Sequence, residues 1–217
     1  MIDKVIIYVE GPGDKLSMEL LLETIIQKAA SNGIAITFHE APRGDKKKSL
    51  IEKIPKKAAN ILLNDNGSVV AVIPDLHPKD KVFPHKTYQE LSIGIFDIFK
   101  KILIKKHPSH DKRLYQRFKI FCFKHDLEAL LLAAHEQLSV RLTSDLIPVT
   151  WCIPVEDQNH NGNHPKKIIE NLFKSYGQFY KDTYDAPIIL GNAPLKTITT
   201  RCPECFKPFV DYLESLC

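Results

Sequence analysis

The sequence predicts a parallel α/β fold, and three observations carry that expectation. The apolar runs VIIYV at Val5–Val9 and SVVAVI at Ser68–Ile73 are continuous rather than alternating, as in strands covered on both faces. Segments of helical periodicity follow each strand-like run through the first two thirds of the chain, the pattern of helices flanking a parallel sheet. No Gly/Ser-rich or Pro-rich linker divides the 217 residues. The expectation is one compact domain, with an α/β core over 1–140 and a mainly helical C-terminal extension over 141–217 packed on it.

The elements follow in order. Val5–Val9 stops at a glycine-rich turn, and Asp14–Ala30 reads as a helix with Met18, Leu21, Leu22, Ile25 and Ala29 on one wide apolar face. Asn32-Gly33 ends it, a pair that tolerates the left-handed conformation. Ile34–Phe38 is a second strand, and the basic loop RGDKKKS comes next. Ser49–Leu63 is helical, with Pro55 marking a kink or a late start. The strand Ser68–Ile73 ends at Pro74-Asp75, and Tyr88–Ile104 is a helix with Ile95, Phe99 and Ile102 among its apolar positions. Arg117–Phe123 is a fourth strand and Asp126–His135 a short helix, followed by a less regular segment and the loop WCIPVEDQNHNGNHP. Pro165 suits the first turn of a helix to Tyr180, and short helices complete the chain, the last running from Pro203 to Leu216.

An apolar fraction of 44% and a charged fraction of 26% are ordinary for a soluble globular chain, and a net charge of +4 is compatible with a polyanionic partner. No apolar run is long enough to span a bilayer, and the N-terminal run breaks at Glu10, short of a signal peptide's core. The expected location is therefore the cytoplasm, with no membrane partner. Five cysteines at uneven spacing make a poor disulfide framework. Cys202 and Cys205 form one CxxC, which His160 and His164 would have to complete for a zinc site. The long interval between the pairs is unlike a zinc finger, and the alternative is that Pro203 opens a helix with the cysteines incidental to it.

Ligands of open α/β sheets bind outside the carboxyl ends of the strands. Glu10 follows the first strand, Asp75 the third, and Glu128 lies a few residues beyond the fourth. Clustered carboxylates repel one another and suit a hard divalent cation such as magnesium, which leaves room for phosphate oxygens. Gly11 and Gly13 permit close approach of the backbone, and their amides at a helix start are placed to meet a phosphate. Each acid also has a plainer reading. Asp14 is an N-cap, Asp75 a turn former, and Glu128 an acid in a first helical turn. Glu128 is the hardest to explain so, because its apolar neighbours in HDLEALLLA predict burial. Arg43, Lys46, Lys47 and Lys48 form a basic segment suited to nucleic-acid phosphates, with Lys100, Lys101, Lys105 and Lys106 a second one. The spacings of a phosphate-binding P-loop, a dinucleotide fingerprint and a nucleophile elbow are all absent.

These motifs resemble the Toprim (topoisomerase–primase) fold. VIIYVEGPGD looks like its first motif, with Gly13-Asp14 where defence-related nucleases carry Thr-Glu. AVIPDLHPKD is similar to the Asp-x-Asp motif, and HDLEALLLA to the later glutamate motif. RCPECFKPFVDYLESL resembles the Cys-Pro tail of an uncharacterised Toprim-like family of bacteria and archaea, often encoded beside ABC-type ATPases. The resemblance implies a magnesium-dependent nuclease acting on DNA or RNA, in a phage-defence or mobile-element setting, with an ATPase partner. It implies Glu10 as metal ligand or general base, Asp75 as ligand, Glu128 as a second-metal ligand, and Asp14 as a supporting acid. His77 replaces the second aspartate; imidazole is a poor magnesium ligand but an acceptable manganese one, and Asp80 is the nearest substitute. The competing expectation is a catalytically weak subunit that regulates an ATPase complex. Nucleotidyl transfer is a third possibility and requires a nucleotide site that no motif supplies.

Overall fold

In a computed structural model, residues 2–77, 82–109, 111–143, 145–149, 151, 154–158 and 163–217 are described. Asp80 and His160 lie outside them. The chain divides into two compact units, each taken by itself below. The first comprises 1–11, 26–122 and 216–217, and the second 12–25 and 123–215.

The first unit is built on a four-stranded sheet of order β2-β1-β3-β4, parallel throughout. Its strands are β1 (Lys4–Val9), β2 (Ala35–Glu40), β3 (Ser68–Ile73) and β4 (Phe118–Ile120). The expected α/β fold, a parallel sheet flanked by helices with helices continuing through the C-terminal part, is the one present. Every residue of β3 is buried, which is why its sequence is an unbroken apolar run, whereas edge strand β2 alternates. Val9 stands opposite Ile73 in the β1–β3 register, so both strands end at the same level. The expected single helix over 14–30 is two, α1 (Pro12–Leu21) and α2 (Glu23–Ser31). Gly33, at φ 78°, ends α2 in the left-handed region as its sequence requires.

The basic segment after β2 is a short helix, not a loop. Asp45 caps α3 (Lys46–Lys48) by accepting from the Lys48 amide at 2.9 Å. A wide π-type turn over Ser49–Lys53 leads into α4 (Ile54–Asn64), with Pro55 in the first turn of the latter. Pro55 has no N–H to continue the ladder, and the Ile54 amide reaches back five residues to the Ser49 carbonyl. Helix α5 (Tyr88–Lys106) opens with a reciprocal cap between Thr87 and Glu90, packs on α4, and buries Leu91, Ile95, Phe99 and Leu103. Strand β4 is shorter than the sequence suggests, because Arg117 lies in a 3₁₀ turn. Its guanidinium donates to the carbonyls of Leu62, Asp65 and Ser68, tying the end of α4 to the start of β3.

Among the described residues, the second unit contains α1 and six later helices. These are α6 (Glu128–Ala133), α7 (His135–Leu142), α8 (Pro165–Ser175), α9 (Asp182–Gly191), α10 (Leu195–Arg201) and α11 (Phe206–Glu214). The irregular segment expected after His135 is in fact helix α7, which buries Leu138, Ser139 and Leu142. Helices α1 and α9 run side by side in the same direction. A Cβ at Gly13 would lie 3.3 Å from the Asp182 backbone, and one at Gly191 would lie 3.2 Å from Leu20. Glycine at each end is what permits this close approach. Glu156, buried in a 3₁₀ turn, accepts from the amides of Glu204, Cys205 and Phe206 at 2.7, 2.9 and 3.0 Å. That carboxylate caps α11, which therefore begins at Phe206 rather than at Pro203. Lys124 pairs with Asp157 and with Glu204, at 2.7 Å to the latter, beside the same turn. Among the described residues, no helix is long and apolar enough to cross a membrane.

Candidate functional site

Sheet order fixes the crevice of the first unit. Chain connections leave β1 toward β2 on one side and reach β3 on the other, so the carboxyl ends of β1 and β3 form a topological switch point. Glu10 follows β1 there, and Asp75 lies two residues beyond β3. The Asp75 amide donates to Glu10 Oε1 at 3.1 Å, so residues 65 apart in sequence meet. Both carboxyl groups are half-buried.

The basic segment borders the same end of the sheet. The Ala41 amide donates to the Val9 carbonyl at 2.8 Å, and Lys46 Nζ reaches the Ala41 carbonyl at 3.4 Å. Lys47 is buried instead of displayed, and its Nζ donates to the Leu76 carbonyl at 3.1 Å. The side chain read from sequence as a phosphate contact thus holds the segment that carries Asp75 and His77. Arg43 and Lys48 are exposed, as a phosphate-contacting role requires. His77 is half-buried two residues past Asp75.

A second polar cluster lies in the second unit. Glu128 opens α6 with its side chain buried, and Lys166 Nζ stands 3.7 Å from its Oε1. Burial, followed by repulsion from Asp126, pushes the Glu128 carboxyl up to about 7; Lys166 opposes this without cancelling it. Asp126 accepts from His164 Nδ1 at 3.0 Å and from the Lys166 amide at 3.2 Å, and burial nonetheless raises its carboxyl. Burial alone would lower the Lys166 ammonium. Glu128, Asp182, Glu170 and Asp126 outweigh it and hold that group above its ordinary range. The buried Tyr180 hydroxyl lies beside Glu128 in a geometry short of a hydrogen bond, and burial raises it strongly. Asp126 shares the HDLE stretch with Glu128, whereas His164, Lys166 and Tyr180 come from two distant segments that no local pattern links to it.

Other expectations are placed as follows. Asp14 lies inside the first turn of α1 rather than at its cap, where the helix dipole favours an acid. Gly13 is buried with Asp182 occupying the adjacent space, so its missing side chain serves helix packing. Neither Gly11 nor Gly13 adopts positive φ. Cys202 is buried and Cys205 half-buried beside the α11 cap, while His164 is bound to Asp126. Among the described residues, no three His, Cys, Asp or Glu side chains are grouped to hold a metal ion. Glu10 and Asp75 do supply hard oxygen donors, and magnesium is commonly held by one or two carboxylates with the rest of its shell from water and phosphate. The donor chemistry therefore fits a hard cation.

The fold and its strand-end acids define an α/β protein with a switch-point carboxylate site. The chain belongs to the DUF4276 family, described as a domain of unknown function, whose family profile matches residues 9–214. It is similar in structure to the C-terminal region of the Burkholderia pseudomallei OLD protein, with a TM-score of 0.50 and 14% identity over 100% of both chains. At that identity the likeness speaks to fold alone. No curated protein matches it in sequence.

Proposed function

We propose that the protein is a Toprim-type, divalent-metal-dependent nuclease. The observation that carries this reading is the meeting of Glu10 and Asp75 at the β1/β3 switch point. These two carboxylates hold the metal, magnesium or manganese, with His77 favouring the latter. When bound, the metal supplies charge neutralisation at a phosphodiester and an acidified water. Lys47 positions the Asp75–His77 segment through the Leu76 carbonyl, and the exposed Arg43 and Lys48 neutralise backbone phosphates of DNA or RNA. Within the second unit, Glu128, its carboxyl raised by burial and standing beside Lys166, is an acid suited to proton transfer. An ABC-type ATPase partner belongs to the same proposal. The structurally similar region is the C-terminal part of a longer protein, which is in keeping with a nuclease that works beside other modules.

The test is cleavage of labelled single- and double-stranded DNA and of RNA, with magnesium and with manganese. Loss of activity in Glu10→Ala and in Asp75→Ala, with circular dichroism unchanged, is the expected result. Absence of cleavage in both metals, with and without the ATPase, refutes it. It favours the regulatory reading, for which His77 in an acid's place is the specific observation.

A further inference from the structure

Helix α8 has, beside its buried stripe, a polar-apolar face that lines a cavity. Pro165, Ile169 and Phe173 are buried, while Ile168, Asn171, Leu172 and Ser175 form a separate stripe at helical spacing. That stripe lines an open cavity of about 460 Å³. Two aromatic rings complete it, Trp151 and Tyr176, with Asn163 adding a third amide or hydroxyl group to Asn171 and Ser175. Trp151 is held edge-on against His135, whose Nε2 meets the Ile147 carbonyl at 2.5 Å.

The chemistry of this lining is specific in what it contains and what it lacks. The aromatic side chains of Trp151 and Tyr176 stand with the apolar Ile147 and Pro148 beside neutral groups that both donate and accept hydrogen bonds, and no carboxylate is among the described residues of the lining. Lys167 and Lys174, both exposed and seven residues apart, form the next row round the helix, on the side away from the buried stripe. Beyond Tyr176 the chain turns at Gly177, φ 71°, and presents Phe179 at 93% exposure. Aromatic faces bordered by cations are the means by which proteins hold unpaired bases and their phosphates. The same helix carries Lys166 to Glu128 at its N-terminus.

We propose that the Trp151–Tyr176 cavity binds an unpaired nucleobase, so that the substrate is a single strand or a nucleic acid with a looped-out base. This rests on the nuclease reading and narrows its substrate class. Stacked bases contribute to affinity without fixing sequence, so broad sequence tolerance is expected.

Trp151 is the sole tryptophan of the chain, and its fluorescence reports on the cavity directly. The experiment titrates full-length protein carrying Glu10→Gln, without divalent metal, with a twelve-nucleotide single strand of thymidine, its uridine equivalent and a duplex of equal length. Single strands are expected to quench Trp151 and the duplex to do so far more weakly. Tyr176→Ala, a partly exposed position, should weaken single-strand binding about 5- to 150-fold, the range of one lost stacking partner. Lys174→Ala should instead lower the salt dependence by about one counterion. Unchanged Trp151 fluorescence, or Tyr176→Ala binding like its parent, overturns the proposal and leaves the cavity as a protein-facing groove. The nuclease reading fails separately: quenching by single strands without cleavage by the metal-supplemented wild type would reject it and retain the base site.

Discussion

Raising the pH should destabilise the second unit in proportion to the charge forced onto Glu128. Its carboxyl titrates near 7, against an ordinary value of 4.5. Between those values the folded protein retains a proton that the unfolded chain has released, so stability is lost as pH rises through the window. At about 1.4 kcal/mol per unit of displacement, the loss is about 3 kcal/mol between pH 4.5 and 7. Asp126, also raised by burial, adds to it in the same direction. Glu136, in the same unit, is held low by Arg201, so its contribution is lost only as pH falls and is common to wild type and variant. Glu128→Gln cannot titrate. Urea unfolding followed by Trp151 fluorescence, which reports on this unit, should therefore show the variant gaining about 3 kcal/mol on the wild type between pH 5 and pH 8. Parallel pH profiles for the two proteins would refute the reasoning, as would a carboxyl resonance of Glu128 titrating near its ordinary value.

Two further outcomes test particular contacts. Lys47→Met keeps the buried stem but leaves the Leu76 carbonyl unpaired. It should cost about 1–3 kcal/mol in urea unfolding without changing the salt dependence of nucleic-acid binding, whereas Lys48→Ala should lower that dependence by about one counterion. Glu156→Ala removes three amide partners from the start of α11 and should cost roughly 3 kcal/mol. That corresponds to a fall of roughly 6–12 °C in Tm by calorimetry.

What the sequence made legible was whatever is written locally. Two unbroken apolar runs marked β1 and β3, and the acids just past them were visible without any structure, as was the left-handed turn at Gly33. Pro55 announced a disturbance, although not that the preceding turn would widen to π geometry. Long-range polar contacts were not legible. Glu128 was suspected of burial, but His164 meets Asp126 across 38 residues, and Glu156 reaches the α11 amides across about fifty. Such partners are chosen by tertiary packing, and no period or spacing in the chain encodes them. Lys47 misled for the related reason that a lysine run looks solvated; burial of its middle member depends on a carbonyl 29 residues away.

The candidate metal site inherits its geometry from the core. Val5, Ile7, Tyr8 and Val9 of β1 and the whole of β3 are buried, so a slip between the strands would unfit close packing on both faces of the sheet. That penalty fixes Val9 against Ile73, and with it the level at which Glu10 and Asp75 emerge. The carboxylates therefore need few local contacts to find one another. The amide bond from Asp75 to Glu10 Oε1 then ties the two strand ends together. A site specified in this way tolerates substitution in the flanking loop better than in the strands. It follows that an activity carried by Glu10 and Asp75 should be sensitive to volume changes at Ile7 or Val72, far from any reacting atom, to the extent that those changes shift the β1–β3 register.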